Sequence, residues 1–192
     1  MYVNLKTIIN IDFASAFFNS CAVAFSVPTV KLYMASNVDP MYFKISLAID
    51  TIAGGGFGLF MSGELISRLR PYLALFCFID ALTMLIINLV YGTDPNMRFI
   101  LISLTSPIST YFVFTIIANI YDNVLSGNDR TTYRMRLSSF SCIGKFIGVI
   151  TALFVNIDIN SALLIQSSAI CCTEFINVLI GKGLINILRK NQ

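Results

Sequence analysis

Any chemistry in this chain is done without imidazole, because its 192 residues include no His. That excludes a His-based triad, an imidazole metal ligand and the ordinary neutral-pH switch. Carboxylates, amines, hydroxyls, amides and thiols remain, and several interrupt long apolar runs at helical spacing. Asp12, Ser15, Asn19 and Ser26 are separated by 3, 4 and 7 positions. At roughly 100° per residue this confines them to about 60° of one helix face. Ser103, Ser106 and Thr110 repeat the spacing, with Thr105 and Ser109 on an adjoining face and Pro107 among them. Two such faces suit the lining of a path for a small neutral or amphipathic solute, with Pro107 as a bend point. The same groups can instead bond to their own i−4 carbonyls or glue helices together.

Five ionisable side chains also stand inside apolar runs: Asp12, Asp50, Asp80, Lys145 and Glu174. A charge in the middle of a membrane helix costs roughly 2.5 to 3.5 kcal/mol, so each should be paired, near water or neutral. Asp12 and Asp50 are the carboxylates closest to the polar faces and are candidates for proton coupling. Asp80 and Glu174 suit structural pairing or protonation better than contact with a solute. Lys145 sits too deep in its run to snorkel easily. Its candidate partners are Asp50 across a homodimer interface, at a depth differing by about 8 Å, and Asp80 or Glu174 within the chain. Cys21, Cys77, Cys142, Cys171 and Cys172 include no C-x-x-C pair and read as small buried hydrophobes, so no disulfide or metal site is expected. No glycine-rich phosphate loop ending in Lys-Ser/Thr is present, and neither ATP nor any other cofactor is expected.

The elements that position these residues follow from composition. The chain is 56% hydrophobic and 12% charged, about half the charge of a soluble domain. A soluble enzyme is excluded on that ground, and a net charge of +3 scattered between apolar runs leaves no nucleic-acid footprint. Runs long enough to cross about 30 Å of hydrocarbon predict six helices, at 8–30, 44–63, 71–91, 99–121, 137–157 and 159–181. Turn-rich connections separate them, a longer polar loop opens at Ser126 to Asp129, and only the connection at 156–160 is hard to place. The chain reads as one all-α membrane domain, 1–192. With both termini cytoplasmic, the inner segments hold Lys6, Arg68, Arg70, Arg130, Arg134, Arg136, Lys182, Arg189 and Lys190. The outer segments hold Lys31, Lys44 and Arg98, and this bias sets the orientation. A signal peptide ending at Ala22-Val23-Ala24 is the rival reading of the first run, but the run stays apolar beyond it. A bacterial cytoplasmic membrane is the expected location.

The segment Gly63-Glu64-Leu65-Ile66-Ser67-Arg68-Leu69-Arg70-Pro71 resembles the G-x-L-x-D-R-x-G-R loop of the major facilitator superfamily. Gly63, Leu65 and Arg68 match, while Ser67 stands for the family's Asp and Arg70-Pro71 for its Gly-Arg. Gly144 and Gly148 resemble the small-residue packing of that family's fifth helix, and the six-span layout resembles one half of such a transporter. The resemblance implies two three-helix inverted repeats, a gating loop at Gly63, Leu65 and Arg68, and a path lined by the first and fourth helices. On that reading Asp12, Ser15, Asn19, Ser103, Ser106 and Thr110 line the path. Family members normally carry twelve spans, so a half-size chain implies a homodimer moving a small solute by alternating access. Its interface would hold Asp50, Gly54, Gly58, Gly144, Lys145 and Gly148, although the same glycines equally suit packing within one chain. The alternatives are a non-transporting accessory or immunity-type membrane protein, favoured by the altered loop, and the remnant of a twelve-span transporter.

Overall fold

The structure is a computed structural model, and it describes residues 4–42, 44–45, 48–49, 51–52, 62–90, 94–107 and 112–190. Among the described residues every regular element is helical: α1 (Leu5–Asn37), α2 (Gly63–Leu69), α3 (Leu73–Val90), α4 (Pro95–Pro107), α5 (Phe114–Val124), α6 (Gly127–Phe154) and α7 (Ile159–Lys190). A 3-10 turn, Arg70–Tyr72, joins α2 to α3. Four helical stretches are long and apolar enough to cross a membrane, Leu5–Asn37, Gly63–Ile87, Gly127–Phe154 and Ile159–Arg189. The protein is therefore an all-helical chain with the character of an integral membrane protein. The expected second span falls mostly outside the described residues, and the fourth falls on α4 and α5, with 108–111 between them also outside.

Local sequence explains the helix starts. The Asn4 side chain accepts from the Lys6 N–H to open α1, and Ser62 accepts from the Leu65 N–H to open α2. Asp158 opens α7 by accepting from the backbone N–H groups of Asn160 and Ser161 and from the Ser161 hydroxyl. These bonds, the hydroxyl's first, hold the exposed Asp158 carboxyl below the usual carboxylate range. The connection that sequence left hard to place is thus the short break 155–158, closed by an Asp cap.

The long polar loop expected from Ser126 is absent. Gly127 to Arg136 form the first turns of α6, which starts well before the expected 137. The Ser126 hydroxyl donates to Asp129 at 2.8 Å, putting a carboxylate in the first turn where the helix dipole favours it. Arg134 and Arg130 reach back to Asp122 at 2.6 and 3.4 Å and tie the new helix to the end of α5.

Packing fixes the helix directions. A Cβ added to Gly144 would strike the Phe17 carbonyl, and one on Gly148 the Cys21 carbonyl, so α6 lies parallel to α1 in backbone contact. Ser20 and Ser141 share a 2.7 Å hydrogen bond across the same seam. Gly183 meets Ile8 near one end of α1, and Ala162 and Leu163 cluster with Val30 near the other, so α7 runs antiparallel to α1. Gly181 meets Leu73, and the Cys171 thiol reaches the Ala81 carbonyl at 3.8 Å, so α7 is antiparallel to α3 as well. Helix α7 therefore lies between α1 and α3. The main core, with Ile8, Leu73, Ile116, Ile120, Tyr121, Tyr133, Ile180 and Leu184, gathers at the end where α1, α3 and α6 begin and α7 finishes. Lys6, Arg68, Arg70, Arg130, Arg134, Lys182 and Arg189 belong to that same end.

The outer faces of α6 and α7 carry exposed apolar side chains. Phe146, Leu153 and Phe154 of α6 and Leu164 and Phe175 of α7 are more than half exposed, as lipid-facing residues of a span must be. Of the five cysteines, which are all free, only Cys77 is buried, whereas Cys142 and Cys172 lie on this outer surface.

Candidate functional site: a polar layer between α1, α3 and α7

The α1 stripe faces into the chain. Ser15 is 7% exposed and Ser26 fully buried, its hydroxyl donating to the Val23 carbonyl at 2.9 Å. Helix α7 packs along the side of α1 that carries Ile8 and Val30. Asn19 is half-buried, and its Oδ1 is sealed off with no hydrogen-bond partner. A buried amide oxygen left unpaired costs on the order of 1 to 3 kcal/mol, so it marks a place where the packing serves something other than stability.

Asp12 has a built environment. The Tyr133 hydroxyl donates to its Oδ2 from α6, and Tyr133 stacks on Tyr121 of α5 at 4.3 Å and on Phe13 at 5.7 Å. Phe13 stacks in turn on Phe140 at 5.2 Å. Three helices thus close over one carboxyl at the basic end. The sequence held no signal for Tyr133, which lay in the expected loop.

A second set of carboxyls lies deeper. Asp80 of α3 and Glu174 of α7 are 2% and 6% exposed, and each has an oxygen, Oδ2 and Oε2, without a hydrogen-bond partner. The antiparallel register brings them together, since Ala81 next to Asp80 meets Cys171, one turn from Glu174. They lie within electrostatic reach of each other, and the Cys77 thiol, 1% exposed, sits beside Glu174. Asn177 donates weakly to Glu174 Oε1 at 3.4 Å. Interpolating along the α1–α7 contacts puts Asn19 opposite the segment just before Glu174. Three unpaired oxygens, from Asn19, Asp80 and Glu174, therefore fall in one layer near the middle of the long helices.

The other expected site residues divide into three groups. Asp50, Gly54, Gly58 and Thr110 lie outside the described residues, and Ser103 and Ser106 lie on α4 with side chains outside the description. Helix α4 does touch α1, and Asn96 in its first turn accepts from the Asp39 N–H at 2.8 Å. The segment read as a gating loop is the short helix α2. Gly63 has open space around it, Leu65 is exposed, and Arg68 pairs with Glu64 at 2.6 Å in the open. Arg70 is the residue that enters the protein, donating through Nε and Nη2 to Asn119 Oδ1 of α5. Gly144 and Gly148 make their close approach to α1 of the same chain. Lys145, next to Gly144, is exposed, so pairing with Asp80 or Glu174 is excluded, and it makes no ion pair among the described residues. Arg98, expected in an outer loop, is 2% exposed beside Tyr33.

No protein-family model, curated protein or solved structure matches this chain. The class defined by the fold is that of helical membrane proteins with polar groups sealed between long apolar helices.

Proposed function

We propose that this chain is a half-size, major-facilitator-like membrane transporter that moves a small neutral or amphipathic solute by alternating access, working as a homodimer in a bacterial cytoplasmic membrane. The observation that carries the reading is the polar face of α1, with Ser15 and Ser26 buried and the Asn19 oxygen buried and unpaired. Interior polar groups in a membrane helix are costly and mark solute or ion paths by default.

Helix directions support six crossings with both termini on the basic side. Helices α1, α3 and α6 run one way and α7 the other. Helices α2 and α6 therefore start at the end where α1 starts, while α1 and α3 finish at the other. The return spans that the sequence predicts at 44–63 and 99–121 make the number even, in agreement with the charge bias. Lys145 supports assembly: an exposed lysine about 14 Å from the end of α6, at roughly 1.5 Å per residue, needs an acid from outside the described chain. Asp50 of a second copy meets that need in the homodimer.

A second reading, a non-transporting accessory subunit, is favoured by the loop motif, in which Ser67 replaces the acid and Arg68 pairs only locally with Glu64. Co-expression of two differently tagged copies separates the readings. Capture of one copy by the other in a stoichiometric complex, weakened by Lys145→Asp and restored by Lys145→Asp with Asp50→Lys, supports the homodimer. A stoichiometric foreign partner with no self-capture supports the accessory role and contradicts the transporter.

A further inference from the structure

We propose that Asp80 and Glu174 form a single proton-binding site at mid-membrane, the pair taking up one proton from water and giving it back as a unit. The inference is independent of the transport reading, because it rests on the α3–α7 seam alone.

Depth is the first argument. Glu174 lies about 22 Å from either end of α7, at roughly 1.5 Å per residue, too far for its side chain to reach water along the helix. Partners are the second. Among the described residues, the groups facing the pair are the Cys77 thiol on α3 and the Cys171 thiol and Asn177 amide on α7. Helix α1 contributes Asp12, which is held by Tyr133 at the basic end, and α5 contributes Tyr121 to that same cluster. Helix α4 contributes Arg98, which lies beside Tyr33 of α1 toward the opposite end. Lys182 of α7 is exposed and belongs to the basic end. Among the described residues no cation faces the pair.

Two carboxylates in electrostatic reach, both stripped of water, cannot both remain ionised, so the pair holds at least one proton and exchanges it as its charge state changes. The unpaired Asp80 Oδ2 and Glu174 Oε2 are the atoms that such a proton would serve. A metal ion fits the same place poorly. Hard cations take about six or more oxygen ligands, the pair offers two free oxygens, and no cluster of three metal-binding side chains occurs among the described residues. The sequence marked Asp12 and Asp50 as the proton-coupling acids. The register of α3 on α7 adds a pair separated by almost half the chain.

The chain contains only two glutamates, Glu64 and Glu174, and this gives a clean readout. Carboxyl-labelled glutamate in the full chain, in detergent, yields two carbon resonances to follow by NMR as pH is varied. Glu64, exposed beside Arg68, supplies the second resonance. Glu174 must show a step well above the ordinary carboxylate range, because each member of a coupled pair reports both steps. Asp80→Asn removes the like charge and should lower the highest Glu174 step by about one pH unit, a tenfold change in proton affinity. Titration of wild-type Glu174 wholly within the ordinary range overturns the proposal even if no variant folds. So does an upper step that Asp80→Asn leaves in place. Loss of the proton when sodium replaces choline at constant pH would make the site a sodium site and overturn it too.

Discussion

Replacing Gly144 by Ala tests the seam that holds α6 to the rest of the molecule. In a free helix the change is favourable, since Ala exceeds Gly in helix propensity by about 1 kcal/mol. Here the new Cβ would overlap the Phe17 carbonyl oxygen and press on the Cys21 backbone nitrogen at 3.2 Å. Backbone atoms of a packed helix cannot rotate aside, so α1 and α6 must separate, as in other overpacked interiors where the cost is about 1 to 3 kcal/mol. Set against the propensity gain, Gly144→Ala should lose about 1 kcal/mol net and Gly144→Leu clearly more. Gly127, at the start of the same helix, has nothing within 4 Å of its added Cβ. Gly127→Ala is therefore the control and should be neutral or mildly stabilising. Denaturant titration in detergent micelles, followed by helical circular dichroism, measures both. The loss at Gly144 should not depend on protein concentration, because the contact is within one chain. Equal stability of Gly144→Ala and Gly127→Ala, or a loss that appears only at low concentration, would refute the reasoning.

Tyr133→Phe removes the hydroxyl that donates to Asp12 and should cost about 1 to 3 kcal/mol by leaving a desolvated acceptor without its partner; the same titration reads it, and an unchanged midpoint would deny the bond its role. The Asp158 cap has a depressed folded-state pKa, so its contribution is complete above the unfolded value and is lost as pH falls through the lower folded one. Amide exchange in the first turn of α7 should therefore speed up only below the usual Asp range, and Asp158→Ala should abolish that pH dependence. In a cysteine-free background, Asn37→Cys should react with a membrane-impermeant thiol reagent from outside intact cells and Asn128→Cys should not; the reverse pattern would invert the topology.

What the sequence made legible is the part set by local pattern. Long apolar runs with few charges identified α1, α3, α6 and α7, because crossing hydrocarbon demands length and composition that can be counted. The 3-and-4 spacing of Asp12, Ser15 and Asn19 identified a face that packs inward. Helix boundaries near polar stretches were not legible, because Gly127 to Arg136 look like a loop by hydropathy, and the pairing of Arg130 and Arg134 with Asp122 becomes visible only in three dimensions. The Asp80–Glu174 pair was hidden for a similar reason. Both acids stood out as costly, but their meeting depends on the register of α7 on α3, which is fixed by Gly181 against Leu73.

Thiol access at position 19 tests the transporter reading most directly. With the native cysteines replaced, Asn19→Cys in sealed membrane vesicles of each orientation is exposed to an impermeant thiol reagent. A path that opens alternately to the two sides predicts labelling from both faces, with one reagent blocking the other. Labelling from neither face, in a protein that still folds, would leave Asn19 as a sealed interior amide and contradict the account.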